Sequence, residues 1–240
     1  MRGVLALLTL GAVAACGPTH PTSSTTSAST TGASTTGVPG VHQLTRTSDF
    51  GSVTSLVVNG GAGNVTVTGG TSGTVDVTEH LYYSRTPPET TGTDTSGTVT
   101  VGYSCPIQVT CLVSYDISVP RATAVKATTR AGAIRISDVT GAVTASAGAG
   151  NVHATGLAAA TASLTTLAGA INATFTAAPE SVTARSHAGS ITIQVPSNAS
   201  YRITTQAIVG TTSVSVPRDD NSTRTITAST DVGSITVDSP

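Results

Sequence analysis

Two stretches of the chain, VKATTRAGAIRI at residues 125–136 and VTASAGAGNVHA at residues 143–154, carry one pattern in one register. In each, an aliphatic residue is followed nine positions later by a second one, which stands two residues after a glycine. Copies recur every 18–23 residues in the main array. The further copies are LVVNGGAGNVTV (56–67), ASLTTLAGAINA (162–173), VTARSHAGSITI (182–193), a looser ITTQAIVGTTSVSV (203–216) and ITASTDVGSITV (226–237). Self-similarity at this period indicates a solenoid or array.

The local pattern within each copy is that of β-strands. Apolar and polar residues alternate over short runs, as in Ile134-Arg135-Ile136, and glycine and small residues separate the runs. Val, Ile and Thr are abundant, and no helix pattern follows residue 17. The sequence therefore predicts an all-β fold, a β-solenoid of about 18–23 residues per coil with two or three strands per coil. The predicted inward columns are Ile134, Val152, Ile171, Ile191, Val214 and Ile235, and Ile136, Ala154, Ala173, Ile193, Val216 and Val237.

Two features of the copy at 143–154 invite a functional interpretation. Gly148-Ala149-Gly150 resembles a phosphate-binding loop, and His153 could be a ligand or a base. The repeat favours a structural role for both. Gly150 recurs as a corner glycine in other copies, and no helix pattern follows it, as a dinucleotide-binding loop requires. His153 falls in a predicted outward column of mixed chemistry: Arg135, His153, Asn172, Thr192, Ser215 and Thr236.

The first sixteen residues, MRGVLALLTLGAVAAC, resemble a prokaryotic lipoprotein signal peptide. Arg2 precedes an apolar run that is too short to span a membrane, and Val13-Ala14-Ala15-Cys16 matches the lipobox. The resemblance implies that residues 1–15 are removed and that Cys16 carries lipid. Two or three acyl chains would anchor the protein stably, whereas one would not. An ordinary secreted protein cleaved near Ala15 is the alternative.

A tether is predicted after Cys16. Of the 24 residues from Gly17 to Gly40, 13 are Ser or Thr, a composition that cannot form a core. As a flexible coil the segment would span about 27 Å. Residues 16–40 are therefore assigned to the lipidated cysteine and its tether, and residues 41–240 to one β-solenoid domain.

Within that domain, residues 74–120 differ from the array at 121–240. Longer strand patterns and Tyr82, Tyr83, Tyr103 and Tyr115 occur here, and we expect the region to form a hairpin cap over the open end of the first coil. With Cys16 lipidated, Cys105 and Cys111 remain as a pair, and an oxidising compartment favours a disulfide between them. Closing so short a loop contributes about 2–2.5 kcal/mol, and we expect it to pin the end of a hairpin.

The segment YDISVPRATAVKATTRAGAIRISDVTGAVTASAGAGNVHATG, with the early VNGGAGNVTVTGG, resembles the bacterial "putative adhesin" family of exported β-strand-repeat proteins, a domain of unknown function. The matching features are the lead-in at Tyr115 to Pro120 and coils with Gly-x-(Ile/Val) steps, from about Leu56 to Val237. The resemblance implies a β-solenoid, a surface location and an adhesive or structural role. It brings no catalytic residues.

Several classes of function are disfavoured by the residues present. A formal net charge of −1 without a basic stretch argues against nucleic acid. The acidic residues do not recur with the coils, as a calcium β-roll requires, and two lone cysteines make a zinc site improbable. Ice binding is disfavoured because the outward column is chemically mixed. A polysaccharide hydrolase or lyase would need two apposed carboxylates, and the candidates are Asp138, Glu180, Asp219, Asp220, Asp231 and Asp238.

The sequence thus predicts a lipid-anchored protein on the extracytoplasmic face of a bacterial cell membrane, acting by contact rather than catalysis. No cofactor, metal or catalytic residue is expected. The leading hypothesis is an adhesin or binding module for a cell-wall polymer, a glycan or a surface protein. The alternatives are an envelope structural or accessory lipoprotein without a ligand and, less favoured, the polysaccharide-acting enzyme.

Overall fold

The computed structural model describes residues 40–106 and 110–240. Within these ranges all regular structure is β, and no helix is long and apolar enough to cross a membrane. In chain order the strands are β1 (His42–Phe50), β2 (Ser55–Asn59), β3 (Val65–Gly70), β4 (Val75–Tyr83), β5 (Glu89–Thr95), β6 (Thr98–Ser104), β7 (Cys111–Pro120), β8 (Ala124–Ala131), β9 (Ile134–Ser137), β10 (Val143–Ala149), β11 (Val152–Leu157), β12 (Thr161–Ala168), β13 (Ile171–Phe175), β14 (Ser181–Ala188), β15 (Ile191–Gln194), β16 (Arg202–Val209), β17 (Thr212–Val214), β18 (Thr225–Val232) and β19 (Ile235–Asp238).

The strands form two facing sheets that share one apolar core. Sheet A has ten strands in the order β1-β4-β7-β3-β9-β11-β13-β15-β19-β17. Sheet B has nine strands in the order β16-β18-β14-β12-β10-β8-β2-β6-β5. Each coil contributes one strand to each sheet, so the number of strands per coil is two. The predicted all-β solenoid is confirmed, with its coils stacked through parallel strand pairs.

In each copy, an inward residue of sheet B is followed nine residues later in the chain by an inward residue of sheet A. In sheet B one buried column contains Leu56, Val125, Val143, Ala162, Val182, Ile226 and Ile203. In sheet A the facing column contains Val65, Ile134, Val152, Ile171, Ile191, Ile235 and Thr212. Apart from Thr212, these side chains are at most 5% exposed. The inward columns predicted from the sequence are therefore confirmed in every copy except the looser one.

The looser copy at 203–216 was aligned wrongly at its second half. Thr212, not Val214, lies beside Ile235, and Val214 lies beside Val237. The outward residue of this coil is accordingly Ser213, not Ser215, and Val216 lies beyond the strand. The corner keeps the separation of nine residues, from Ile203 to Thr212, although the residue there is polar. A polar residue is tolerated because this coil is the outermost one.

The copies also do not stack in the order of the sequence. The chain runs from β14 and β15 to β16 and β17 at the end of the array and then returns through residues 215–224. As a result, β18 lies between β14 and β16 in sheet B, and β19 lies between β15 and β17 in sheet A. Burial explains the exchange. Ile226, Ala228, Ile235 and Val237 are fully buried apolar residues, whereas Thr212 and Ser213 of the outermost coil are exposed. The more apolar copy thus occupies the interior position.

The predicted N-terminal cap is confirmed. β6 pairs with β2 and β7 pairs with β3, so both strands of the first coil are covered. β4 and β1 then extend sheet A, and β5 extends sheet B, all by antiparallel pairing. The Tyr103 hydroxyl fixes this junction: it accepts a hydrogen bond from the Ala62 N–H at 2.6 Å and donates one to the Ala62 carbonyl at 2.7 Å.

The disulfide between Cys105 and Cys111 is present, with a Cα–Cα separation of 6.0 Å. Its predicted place at the end of a hairpin is wrong. Cys105 follows β6 in sheet B and Cys111 begins β7 in sheet A, so the bond crosses between the sheets. The reason is that the chain after β6 crosses to the opposite sheet instead of reversing to pair with itself. The hairpin of this region is formed by β5 and β6.

The corners between the two sheets are built by glycine. Gly150 has a φ of +150°, and a Cβ there would overlap the carbonyl oxygen of Gly132 in the preceding coil. The same arrangement occurs at Gly63, Gly132, Gly169, Gly189, Gly210 and Gly233. The glycine of each copy is therefore required by the close approach of stacked corners, which is the structural role predicted for it.

Candidate binding site

An opening with both polar and apolar walls lies at the N-terminal end, between the two sheets. It has a volume of about 580 Å³ and lies between β1 and β4 of sheet A and β5 and β6 of sheet B. Cavities of 300–1,000 Å³ with mainly apolar walls and a few converging polar groups are typical small-molecule sites. Leu44, Phe50, Val77 and Val101 form the apolar wall here.

The cavity exists because the sheets extend past the last complete coil. β4 and β1 continue sheet A, while β5 alone continues sheet B. β5 brings Gly92 opposite Val101, and the missing side chain there leaves room for the Phe50 ring. A Cβ at Gly92 would lie 2.8 Å from the Phe50 ring. The end of the solenoid thus remains open to solvent between the two sheets.

Three polar side chains converge in this cavity. Glu79 on β4 lies beside Arg46 on β1, its partner in the antiparallel pair. Across the cavity, an Arg46 guanidinium N–H donates to the Thr90 hydroxyl on β5 at 3.2 Å. The site therefore offers a cation, a carboxyl group and a hydroxyl that join the two sheets. Their neighbours Ser48 and Thr93 add further hydroxyls to the lining.

Glu79 is the most unusual of the three, since it is a carboxyl group that is only 6% exposed. Burial raises the pKa of Glu79 above its ordinary value, against the opposing effects of the nearby Thr90 hydroxyl and the Arg46 guanidinium. A carboxyl group whose pKa is raised by burial is a recognised indicator of a functional site. It can accept a hydrogen bond when ionised and donate one when protonated.

A second buried polar group lies next to Glu79. Tyr115 on β7 is the neighbour of Glu79 in the sheet, its side chain is fully buried, and its hydroxyl has no hydrogen-bond partner among the described residues. Burial, then the charges of Glu79 and Tyr103, raise the pKa of the Tyr115 hydroxyl far above its ordinary range. The row Arg46, Glu79 and Tyr115 is therefore a polar strip across the inner face of sheet A.

The sequence contains a pattern that indicates the buried charges of this site, outside the repeat. In TVDVTEHLYY, strand alternation places Glu79 in phase with Val75, Val77 and Leu81. In HQLTRTSDF, it places Arg46 in phase with Leu44 and Phe50. A charged residue in the apolar phase of a strand indicates a buried charge. Two such strands that pair with each other indicate a site.

The residues that the sequence singled out in the array are surface residues. His153 lies between Arg135 and Asn172 in the outward column of sheet A, and its Nδ1 is 3.4 Å from the Asn172 amide nitrogen. Thr236 and Ser213 continue that column. Gly148 and Gly150 belong to a corner. His153 and Gly150 thus occupy the outward and corner positions that the repeat predicts for them.

The carboxylates considered for polysaccharide cleavage lie at different places on the array. In stacking order, Asp138 follows β9 of the second coil and Asp231 lies on β18 of the sixth coil. Four strand spacings, about 19 Å along the stack, separate these two coils. Asp231 pairs with His187 at 2.7 Å, and Asp238 lies beside Gln194 in sheet A. Asp219 and Asp220 are exposed in a turn, where the Asn221 N–H donates to Asp219 at 2.9 Å. Glu180 is exposed before β14.

Metal binding has no support in the part of the chain that the structure describes, since no three His, Cys, Asp or Glu side chains form a group there. Cys16, the predicted site of lipidation, lies outside the described residues, as do the predicted signal peptide and most of the predicted tether. The cavity at the N-terminal end is thus the one candidate binding site that we develop.

Comparison with known proteins gives a family and a distant structural likeness. The family model Toastrack DUF4097 matches residues 23–239. A putative cell adhesion protein from Clostridium sporogenes has 13% identity and a TM-score of 0.45, covering 82% of this chain and 100% of that one. A putative adhesin from Bacteroides fragilis has 15% identity and a TM-score of 0.46, covering 81% and 96%. No curated protein matches the chain.

Proposed function

The chain belongs to the Toastrack DUF4097 family, a domain of unknown function, and on that premise we propose that it is a non-catalytic binding module of the cell surface. The binding site we propose is the cavity between β1, β4, β5 and β6. The observation that carries the proposal is the buried Glu79 carboxyl group beside Arg46, in a cavity that opens to solvent. A buried charge reduces stability unless it is compensated, so a role in binding accounts for its presence.

The chemistry of the cavity favours a neutral ligand rich in hydroxyl groups. Arg46 donates hydrogen bonds, Glu79 accepts them, and Thr90 does both. Because the one cation and the one carboxyl group lie side by side, the cavity has no strong preference for an anion or a cation. Apolar walls suit the C–H faces of a sugar ring. The ligand class we propose is the end of a glycan strand, as in a cell-wall polymer.

The proposed location rests on the N-terminal sequence. Lipid on Cys16 and a Ser/Thr-rich tether would attach the described domain to the extracytoplasmic face of the membrane through β1. β1 is also a wall of the cavity. The proposed site would therefore lie at the end of the solenoid where the tether begins, on the membrane side of the domain.

The test is a binding measurement with the full-length protein in detergent micelles. The probes are soluble disaccharide-repeat fragments of peptidoglycan and other cell-wall glycans, and the same mixtures are analysed for cleaved products. We expect saturable binding without product release. Arg46→Gln should weaken binding at least about tenfold, because it removes a charged donor from the site. Arg185→Gln, an exposed arginine on β14, is the matched control and should bind as the wild type does.

The other outcomes separate the alternatives. Product release would overturn the non-catalytic assignment. Binding that Arg185→Gln weakens and Arg46→Gln does not would move the site to the outer face of sheet B. An absence of binding to every probe would favour an envelope structural protein without a ligand. Circular dichroism of each variant establishes that the fold is intact.

A further inference from the structure

The two ends of the solenoid differ in how their edge strands are protected. At the N-terminal end, the edge strands β1 and β5 carry charged residues, among them Arg46 and Asp49 on β1 and Glu89 and Asp94 on β5. Charged residues on an edge strand oppose pairing with another strand. At the other end, β16 is the edge of sheet B and β17 the edge of sheet A, and no further described strand covers either. β16 has no charged residue from Ile203 to Val209.

The open side of β16 can be assigned residue by residue. The Arg202 N–H donates to the Arg224 carbonyl before β18, so Arg202, Thr204 and Gln206 direct their backbone groups into the sheet. The alternate residues direct theirs away from it. The outward backbone groups of Tyr201 pair with residues 217–219. The outward carbonyl of Ile203 accepts a hydrogen bond from the Arg218 guanidinium at 3.2 Å. Thr205 and Ala207 are left with backbone groups directed to solvent.

The side chains at this end are also apolar and exposed. Ile208 is 68% exposed, Val209 is 60% exposed, and Val232, beside Val209 on β18, is 55% exposed. They are three of the five large apolar residues that are exposed among the described residues. An edge strand that is uncharged from Ile203 to Val209, with free backbone groups and exposed apolar side chains, is the arrangement that pairs with another strand.

We propose that the C-terminal edge is a self-association surface, at which β16 of one copy pairs antiparallel with β16 of a second copy about a two-fold axis at Gln206. In this register Thr205 of each copy lies opposite Ala207 of the other, and each pair exchanges both N–H···O=C bonds. The free groups of Thr205 and Ala207 are two residues apart, which is the separation that this symmetric pairing requires. No two like charges oppose each other, since Arg202 falls opposite Gly210.

A second copy of the chain fits this end better than a lone peptide strand does. The solenoid ends with two open edges, β16 in sheet B and β17 in sheet A. A two-fold axis perpendicular to the facing sheets places β16 beside β16 of the second copy and, at the same time, β17 beside β17 of the second copy. A single peptide strand could pair with only one of these two edges. The contact is isologous and closes as a dimer. The two N-terminal cavities would then lie at opposite ends of the dimer, which would allow bivalent binding.

Cysteine cross-linking tests the register directly. In the proposed dimer Gln206 lies opposite its own copy as a non-hydrogen-bonded pair, with Cα atoms about 4.5 Å apart. A disulfide spans Cα distances of about 4.4–6.8 Å. The full-length protein with Gln206→Cys should therefore form a covalent dimer on mild oxidation. Thr204→Cys, exposed on the same face of the same strand, is the control, because its two copies would be about 14 Å apart.

A second measurement avoids the added thiol. Sedimentation velocity of the full-length protein in detergent should show a dimer that Gln206→Lys converts to monomer, because it places like charges across the axis. Ser163→Lys, an exposed residue at the middle of sheet B, should leave the dimer intact. Equal cross-linking of the two cysteine variants, or a wild-type protein that is monomeric at every concentration tested, would overturn the proposal.

Discussion

Thr166 on β12 donates its hydroxyl to the carbonyl oxygen of Gly150 at 2.9 Å, and so joins one coil to the corner of the coil before it. Thr129, Ser186 and Thr230 make the equivalent bond to Gly63, Gly169 and Gly189, at 3.2, 3.0 and 2.9 Å. These four hydroxyl residues are at most 5% exposed. At these four corners a buried hydroxyl of the next coil thus satisfies the carbonyl oxygen of the corner glycine.

Replacing Thr166 with valine should lower the free energy of unfolding by about 1–3 kcal/mol. The shape of the side chain is nearly kept, but the Gly150 carbonyl loses its donor in a part-buried environment. Urea denaturation measures the change. Thr165→Val, at the neighbouring half-buried position on β12, is the control and should change stability by less than about 0.5 kcal/mol. Equal effects of the two substitutions would show that the hydroxyl bond to Gly150 contributes nothing.

Ala147 is a position where this bond is missing. It lies between Thr129 and Thr166 in sheet B and is 2% exposed. Ala147→Ser should raise the free energy of unfolding by about 0.5–1.5 kcal/mol, since the new hydroxyl can donate to the Gly132 carbonyl. Ala145→Ser, equally buried but facing the apolar core, should lower it. A loss of stability in Ala147→Ser as large as that in Ala145→Ser would contradict this account of the corners.

The corner glycines should tolerate no side chain. Gly169 has a φ of +148°, and a Cβ there would overlap the Gly150 carbonyl oxygen. Gly169→Ala should lose at least about 1–3 kcal/mol from backbone strain alone. Gly73→Ala, where a Cβ meets nothing within 4 Å, should leave the thermal midpoint unchanged. A wild-type midpoint for Gly169→Ala would mean that adjacent corners are farther apart than the structure has them.

Glu79 should make stability depend on pH in a defined direction. Its pKa in the folded state is raised from an ordinary value of 4.5, so the folded protein retains the proton more strongly than the unfolded chain does. The contribution of the protonated Glu79 to the free energy of unfolding is therefore fully present below pH 4.5. This contribution is lost as the pH rises through the pKa of Glu79 in the folded state.

Glu79→Gln should flatten this part of the pH profile and should be at least as stable as the wild type at pH 7, as judged by urea denaturation across the pH range. Glu89→Gln, an exposed carboxyl at the start of β5, should leave the profile unchanged. An unaltered profile in Glu79→Gln would contradict the burial assigned to this residue.

Strand period and repeat spacing predict much of this fold because both are local. The separation of nine residues from Val125 to Ile134 is set by one corner, and it holds in all seven coils. Val214 is the first aliphatic residue after the corner of the looser copy, but the spacing of nine residues places Thr212 there, and the outermost coil leaves Thr212 exposed. The exchanged order of the last two coils could not be predicted from the repeat spacing, since the spacing of nine residues is the same in both copies.

The site was missed for a different reason. Arg46 and Glu79 lie outside the repeat, so a search for recurring positions passes over them. The alternation of β1 and β4 predicts that both face inward, but not that β1 pairs with β4 or that β5 lies across the cavity. These are contacts between distant segments: Arg46 and Thr90 are 44 residues apart. The hydroxyl residues at the corners, in contrast, lie at recurring positions of the repeat. An alignment of the copies therefore predicts them.

Hydrogen–deuterium exchange of the full-length protein, with and without peptidoglycan disaccharide fragments, tests the proposed site most directly. Binding in the end cavity should slow exchange in β1, β4 and β5 at His42–Phe50, Val75–Tyr83 and Glu89–Thr95, and leave the middle of the array at β12 and β14 unchanged. Slower exchange on β12 and β14 with none at the N-terminal end would contradict the assignment, as would saturable binding that slows exchange in none of these strands.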